Sequence, residues 1–216
     1  MKKILFLIIL ISSIGFTACG GGGDDPNNGG GDSDNGGTIT YNVGDTGPGG
    51  GIIFYVDETG FTMTDDGSTA HYLEAAPANW NGGAADSTLV WSNTPSQLVK
   101  DATGEETAPD IGAGRKNTAL MLKQDATAPA AKVCKDYTGG GKSDWFLPSQ
   151  CELFELWRLY SVKGYGSYGG LMGSYYWSSS EDSASYAWLQ GFGDGGQGLN
   201  HKANTFSVRA VRAFNP

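Results

Sequence analysis

Positive charge is scarce in this chain. Lysine and arginine number 14 against 23 aspartates and glutamates over 216 residues, a formal net charge of −9. Nucleic-acid binding needs clustered Lys and Arg on phosphates, so this balance excludes it. It also argues against a broad heparin-type footprint, while leaving room for a local basic patch. Histidine is scarcer still, with only His71 and His201, far apart and beside no motif. Long apolar runs are missing beyond the first residues, and cysteine occurs three times, at Cys19, Cys134 and Cys151.

What is present begins with "MKKILFLIILISSIGFTAC". Lys2 and Lys3 form a positive start, and Ile4 to Ile14 form an apolar stretch too short for a stable transmembrane helix. Residues 1–18 are therefore expected to be a secretory signal. "FTAC" resembles the lipobox of bacterial lipoproteins, which implies lipidation of Cys19 on sulfur. Several acyl chains, at ~0.8 kcal/mol per buried CH₂, would hold the protein durably on a membrane. The other reading is an ordinary secreted protein cut near Ala18. "GGGGDDPNNGGGDSDNGG" follows, with no branched apolar or aromatic residue before Ile39. Such a segment cannot offset its ordering entropy, so residues 19–40 are expected to be a disordered tether with a span of roughly 25 Å. Its acidic run resembles surface-export signals, pointing to the bacterial outer membrane and to surface exposure.

Residues 41–216 have the length of one domain with a real core. If Cys19 is lipidated, Cys134 and Cys151 remain in an oxidising compartment, where they are expected to pair or else to stay as two buried free thiols. Pairing would close a loop of ~15 residues, for about 3 kcal/mol in the chain-entropy model.

"GDTGPGGG" is neither a phosphate loop, having no Gly-Lys-Ser/Thr and no helix after it, nor collagen, since its triplets stop too soon. It reads as a tight turn into the strand "GIIFYVD". Glu58 to Pro77 reads as a hairpin turning at Asp65 to Gly67. Residues 78–114 are loop-rich, with Trp80 and Trp91 packed beneath. Helical composition follows in "GRKNTALMLKQ" and in "TAPAAKVCKDY", with Thr127 as N-cap. The clearest helix is "LPSQCELFELWRLY": Ser149 and Glu152 make an S-x-x-E capping box, and Leu153, Leu156, Trp157 and Tyr160 form an apolar stripe. Cys151 falls at its first turn, where a thiol can be activated, yet no base stands near it in sequence. Three strands end the chain: "YYWSSSE", "SYAWLQGF" and "TFSVRAVRAF".

"DWFLPSQCEL", "YWSSSE", "AWLQGFGDG" and "VRAVRAF", in that order, resemble the family of the C-terminal domain of the Legionella collagen-like adhesin. They are also similar to the Fibrobacter succinogenes major paralogous domain. "VGDTGPGGGIIFYVD" and "YLEAAP" resemble the N-terminal half that accompanies it. The resemblance implies an α+β, C-type-lectin-like fold with helices on curled antiparallel sheets and the termini close together. It also implies extracellular binding, with sulfated glycans proposed for the adhesin. The chain has no collagen-like repeat and lacks the calcium-dependent sugar-binding motifs of true lectins.

Recognition is expected on loops. Tyr165, Tyr168, Tyr175 and Tyr176 supply amphipathic rings, and Asp194, Asn200 and Lys202 supply polar groups beside them. Glu181, Asp182 and Asp194 are calcium candidates, with a solvated loop as the other reading; no further cofactor is implied. At least one of Arg209 and Arg212 is expected to be a buried ion-pair partner. The leading expectation is a lipid-anchored surface binding protein, adhesin-like, for glycan or protein ligands. A structural envelope component with no small ligand and a cysteine-dependent enzyme on the same fold are the alternatives.

Overall fold

A computed structural model describes residue 19, residues 40–162, 170 and 171, and residues 173–216. The expected signal and almost all of the expected tether lie outside the described residues. β1 (Ile52–Thr62) and β2 (Thr69–Ala75) form the predicted hairpin. Its turn brings Gly67 to φ 71°, where only a residue without a Cβ sits at ease. β3 (Thr88–Val90), α1 (Gly114–Gln124), α2 (Pro129–Lys135) and α3 (Gln150–Val162) follow. β4 (Tyr175–Glu181), β5 (Tyr186–Gly191), β6 (Gln197–His201), β7 (Thr205–Ser207) and β8 (Val211–Phe214) complete the chain. The strands form two sheets, ordered β1-β2-β8 and β3-β7-β4-β5-β6. This is the α+β arrangement that the C-type-lectin-like resemblance implied: β8, at the C-terminus, pairs antiparallel with β2 of the opening hairpin.

Two expectations about strands need correction. "TFSVRAVRAF" is not one strand: β7 lies in the larger sheet and β8 in the smaller. The crossing segment Val208–Ala210 is buried, because Arg209 turns inward there to meet Asp86. Moreover, β6 occupies what reads as a linker. Its weak pattern is that of an edge strand, paired on one side only, with Trp188↔Leu199 and Gln190↔Gln197 in register.

Two large cores, and a small cluster of Ile53, Tyr72 and Phe214, flank these sheets. One packs Ala187, Leu189 and Trp177 of the larger sheet against Leu120 and Met121 of α1 and Ala130, Ala131 and Cys134 of α2. The other packs Leu153, Leu156 and Leu159 of α3 against Tyr176, Phe192 and residues of the smaller sheet. Trp145 and Leu147, at the start of the α3 segment, are fully enclosed, as a wedge requires.

The loops are held by carboxylates. Glu74, buried on β2, accepts backbone N–H groups of Gly49 (2.9 Å) and Gly51 (2.7 Å). A Cβ on Gly47 would strike that carboxylate, one on Gly49 the Trp145 ring and one on Gly51 the Ala75 carbonyl, while Gly50 sits at φ 79°, so close approach and a tight turn explain the run "GPGGG". At α3 the capping box forms as predicted: Ser149 N–H donates to Glu152 Oε2 (2.8 Å) and Glu152 N–H to Ser149 Oγ (3.2 Å). Glu152 Oε1 also accepts from Gly112 N–H at 2.9 Å, so one side chain joins α3 to the loop before α1. Thr127, by contrast, does not cap α2; its hydroxyl donates to Asp125 Oδ1.

Burial pushes the Glu152 carboxyl up to about 7, outweighing the N–H donors that favour its charged form. The folded chain therefore holds this proton more tightly than the unfolded chain. Its stabilising effect is complete below about pH 4.5 and is lost as pH rises through about 7. The expected loss is on the order of 3 kcal/mol, measured by urea unfolding across that window. Glu152→Gln should abolish that slope. An identical slope in the variant would refute the assignment.

Candidate functional site

The structure brings together two of the predicted recognition residues. Tyr175 starts β4 with 43% of its surface exposed. Its hydroxyl donates to Asp194 Oδ2 at 3.3 Å. Gly173, Ser174, Gly191 and Gly193 complete a shallow groove of about 130 Å³ around the pair. Ligand-enclosing pockets start at roughly 300 Å³, so this groove suits a surface contact and not engulfment. Tyr165 and Tyr168 lie outside the described residues.

Three predicted positions do not belong to this surface. Tyr176 is fully buried; its ring packs on Phe192 at 4.5 Å and its hydroxyl donates to Asp86 Oδ2 at 2.8 Å. Strand alternation decides this, since Tyr175 faces out and its neighbour must face in. Asn200 is half-buried and turned to its own loop: its Oδ1 accepts from His201 N–H and from Asn204 Nδ2. Lys202 is fully buried. Its ammonium donates to Glu181 Oε2 (2.5 Å) and to the carbonyls of Gln97 and Ala184, over the Trp91 ring.

That pairing engages one of the three calcium candidates. Through its other oxygen Glu181 accepts from Val99 N–H at 2.7 Å, so both of its oxygens are engaged within the protein. Asp182 and Asp194 are exposed, and among the described residues no group of three His, Cys, Asp or Glu could hold a metal ion. Burial raises the Glu181 carboxyl and lowers the Lys202 ammonium, while their mutual attraction opposes both shifts. The three serines of "SSS" serve structure. Their hydroxyls donate to the carbonyls of Trp188, Pro148 and Ala108. Both arginines are ion-paired, Arg209 with Asp86 and Arg212 with Glu74 and Asp144.

The cysteines pair differently from the expectation. Cys151 is bonded to Cys19, and Cys134 is free and buried. The reason is where α2 and α3 put their side chains. Cys134 points into the core under the larger sheet, among alanines, whereas Cys151 sits outside that cluster at the first turn of α3. Burial pushes the Cys134 thiol well above its usual range, so it carries no thiolate for nucleophilic work.

Sequence reasoning missed a second groove, of about 310 Å³, between the loop after β2 and the end of α2. Trp80, Asn81, Ser87, Val133, Asp136 and Tyr137 line it. Trp80 Nε1 donates to Asp86 Oδ1 at 2.6 Å, and Asp86 is itself held by Arg209, so the indole is fixed from behind. Tyr137 stands edge-on to Trp80 (5.3 Å, 81°) and leans on Trp145 (4.9 Å). Gly139 permits that pose, since a Cβ there would collide with the Tyr137 hydroxyl. Asn79, just before, is at φ 61°, the only positive-φ residue other than glycine among those described. The signal available in sequence was Trp and Asn beside glycines in a long loop. The partner residues, 50 positions on, could not be joined to it without the fold.

Together these features define an α+β scaffold that displays shallow aromatic and polar grooves on its loops. The chain belongs to the Lcl C-terminal domain family, whose model matches residues 84–212. The match runs from the loop carrying Asp86 through all three helices and the larger sheet to Arg212; the β1–β2 hairpin precedes it. A comparison with curated proteins gives no match.

Lys202 tests the distinction between a ligand contact and a structural ion pair. Lys202→Met leaves the Glu181 carboxylate buried and uncompensated, for an expected loss of about 3–5 kcal/mol in urea unfolding. Combined with Glu181→Leu, the loss should shrink, because the pair vanishes together. A Lys202→Met protein that unfolds at the wild-type midpoint would contradict this geometry.

Proposed function

We propose that the protein is a lipid-anchored binding module of the bacterial outer-membrane surface, adhesin-like, recognising glycan or protein ligands through its loops. The observation that carries this is the pairing of family membership with loop grooves walled by aromatic rings. Tyr175, Tyr186 and Leu199 are 43%, 45% and 43% exposed, and the last two lie on one face of β5 and β6 beside half-buried Trp188 and His201. Rings of this kind cover the apolar faces of sugars and protein side chains while keeping polar edges wet. The acidic balance keeps the module off anionic head groups, so anchoring falls to the lipid.

Cys19 bears directly on the anchor. Thioether lipidation and a disulfide both use its sulfur, so they exclude each other. In the anchored form Cys151 carries a thiol; the Cys19–Cys151 bond belongs to a chain whose sulfur has not been acylated. A structural envelope role without a ligand is the second reading, favoured by the acidic, loop-rich surface alone.

Mass spectrometry of the mature chain should find a diacylglyceryl group on Cys19 and an alkylatable Cys151. Protease added to whole cells should shave the domain. An unlipidated mature chain with the Cys19–Cys151 bridge, or a domain protected on intact cells, would sink the anchored-surface reading.

A further inference from the structure

Trp80, Val133 and Tyr137, on the walls of the groove between the 79–87 loop and the end of α2, pack on their inner sides against the core, which fixes the walls in place. We propose that the groove is a subsite for a neutral pyranose ring, the unsulfated end or branch of a glycan. The proposal deepens the reading of the protein as a binding module and rests on it.

Size comes first. At about 310 Å³ the groove reaches the lower bound of small-ligand sites, roughly 300 Å³, whereas the Tyr175–Asp194 groove is less than half as large. Shape follows from the rings. Trp80 and Tyr137 meet nearly at right angles, and each is pinned from behind, Trp80 by Asp86 and Tyr137 by Trp145. Trp80 keeps only 7% of its surface exposed and half-buried Tyr137 keeps more, so the notch offers one ring and the edge of a second to the C–H face of a sugar, and pre-organisation lowers the ordering cost of binding.

The polar rim supplies the hydroxyl chemistry. Asp136 commits Oδ2 to Lys132 Nζ at 2.7 Å, which leaves Oδ1 to accept from a sugar hydroxyl. Ser87 Oγ accepts from Asn81 Nδ2 at 2.8 Å and keeps its own proton to donate. Asn81 is locked by that bond and by bonds to Ala85 and Gly83, so it orients Ser87 and does not itself need to move.

Charge selects the class. No cation lines the groove, and the cations beside it are matched, Lys132 by Asp136 and Arg209 by Asp86. A sulfate or carboxylate would enter beside an unshared carboxylate oxygen on a protein of net charge −9, an unfavourable encounter. A hydroxyl-rich neutral ring meets no such penalty. Two hydroxyl contacts, one ring and the edge of another make a weak subsite, useful when repeated along a polymer or across many copies of the protein on one cell.

The mature full chain is run through gels containing a neutral glucan, mannan or galactan, and through gels containing heparin or chondroitin sulfate. Retardation is expected on at least one neutral polymer and should persist at ~0.5 M salt, where an ionic contact would be screened. Asp136→Asn and Ser87→Ala should each weaken it about tenfold with unchanged thermal unfolding, since the Lys132–Asp136 pair is exposed and contributes little to stability. Retardation on neutral polymers unaffected by both variants would move the site elsewhere and overturn the subsite. Retardation confined to sulfated polymers and lost in salt would overturn it too, with the binding-module reading intact. No retardation on any polysaccharide, with no capture by matrix proteins, would take down both.

Discussion

Arg209 and Arg212 hold this molecule together. They flank the point where the chain leaves the larger sheet for the smaller, and each reaches a different part of the fold. Arg209 gives Nε and Nη2 to Asp86 and Nη1 to the carbonyl of Ala76. Arg212 grips Asp144 with two nitrogens and Glu74 with the third. Breaking a buried pair by removing one partner leaves an uncompensated charge, at about 3–5 kcal/mol, so these contacts fix where the strands cross. Through Asp86 the first arginine also positions Trp80 and Tyr176, and hence one wall of the larger groove.

A chain with 35 glycines and long loops must satisfy many backbone N–H groups that no sheet or helix reaches. Buried carboxylates do that here. Glu74 takes the amides of Gly49 and Gly51, Glu152 those of Gly112 and Ser149, and Glu181 that of Val99. Part of the acidic composition is therefore internal scaffolding, matched by Arg212 and Lys202, or by N–H groups alone at Glu152. The surface that remains is negative and polar, interrupted by single exposed rings.

That division of labour suits a recognition domain. The sheets and helices carry the core, and the grooves lie where loops meet element ends. The cysteines follow the same separation. Cys134 serves as a small core residue, while Cys151 stands at the rim of α3 where it can bond the N-terminal Cys19.

The sequence by itself determined the elements whose cause is local: the β1–β2 hairpin with its Asp-Gly turn, the S-x-x-E start of α3 with its apolar stripe, β4 and β5 with their alternation, and the family. It also led to the expectation that at least one arginine of "VRAVRAF" would be a buried ion-pair partner; both are. It misjudged whatever depended on the direction of a side chain across the fold. Tyr176 and Lys202 read as ligand contacts because tyrosines and lysines in glycine-rich stretches usually face solvent, yet β-alternation and the Glu181 carboxylate turned both inward. Cys134 and Cys151, close in sequence, were kept apart because consecutive helices aim them at different environments. The larger groove was invisible for the same reason: Trp80 and Tyr137 become neighbours only when the chain between them, β3 through α2, folds back, and no local pattern encodes that return.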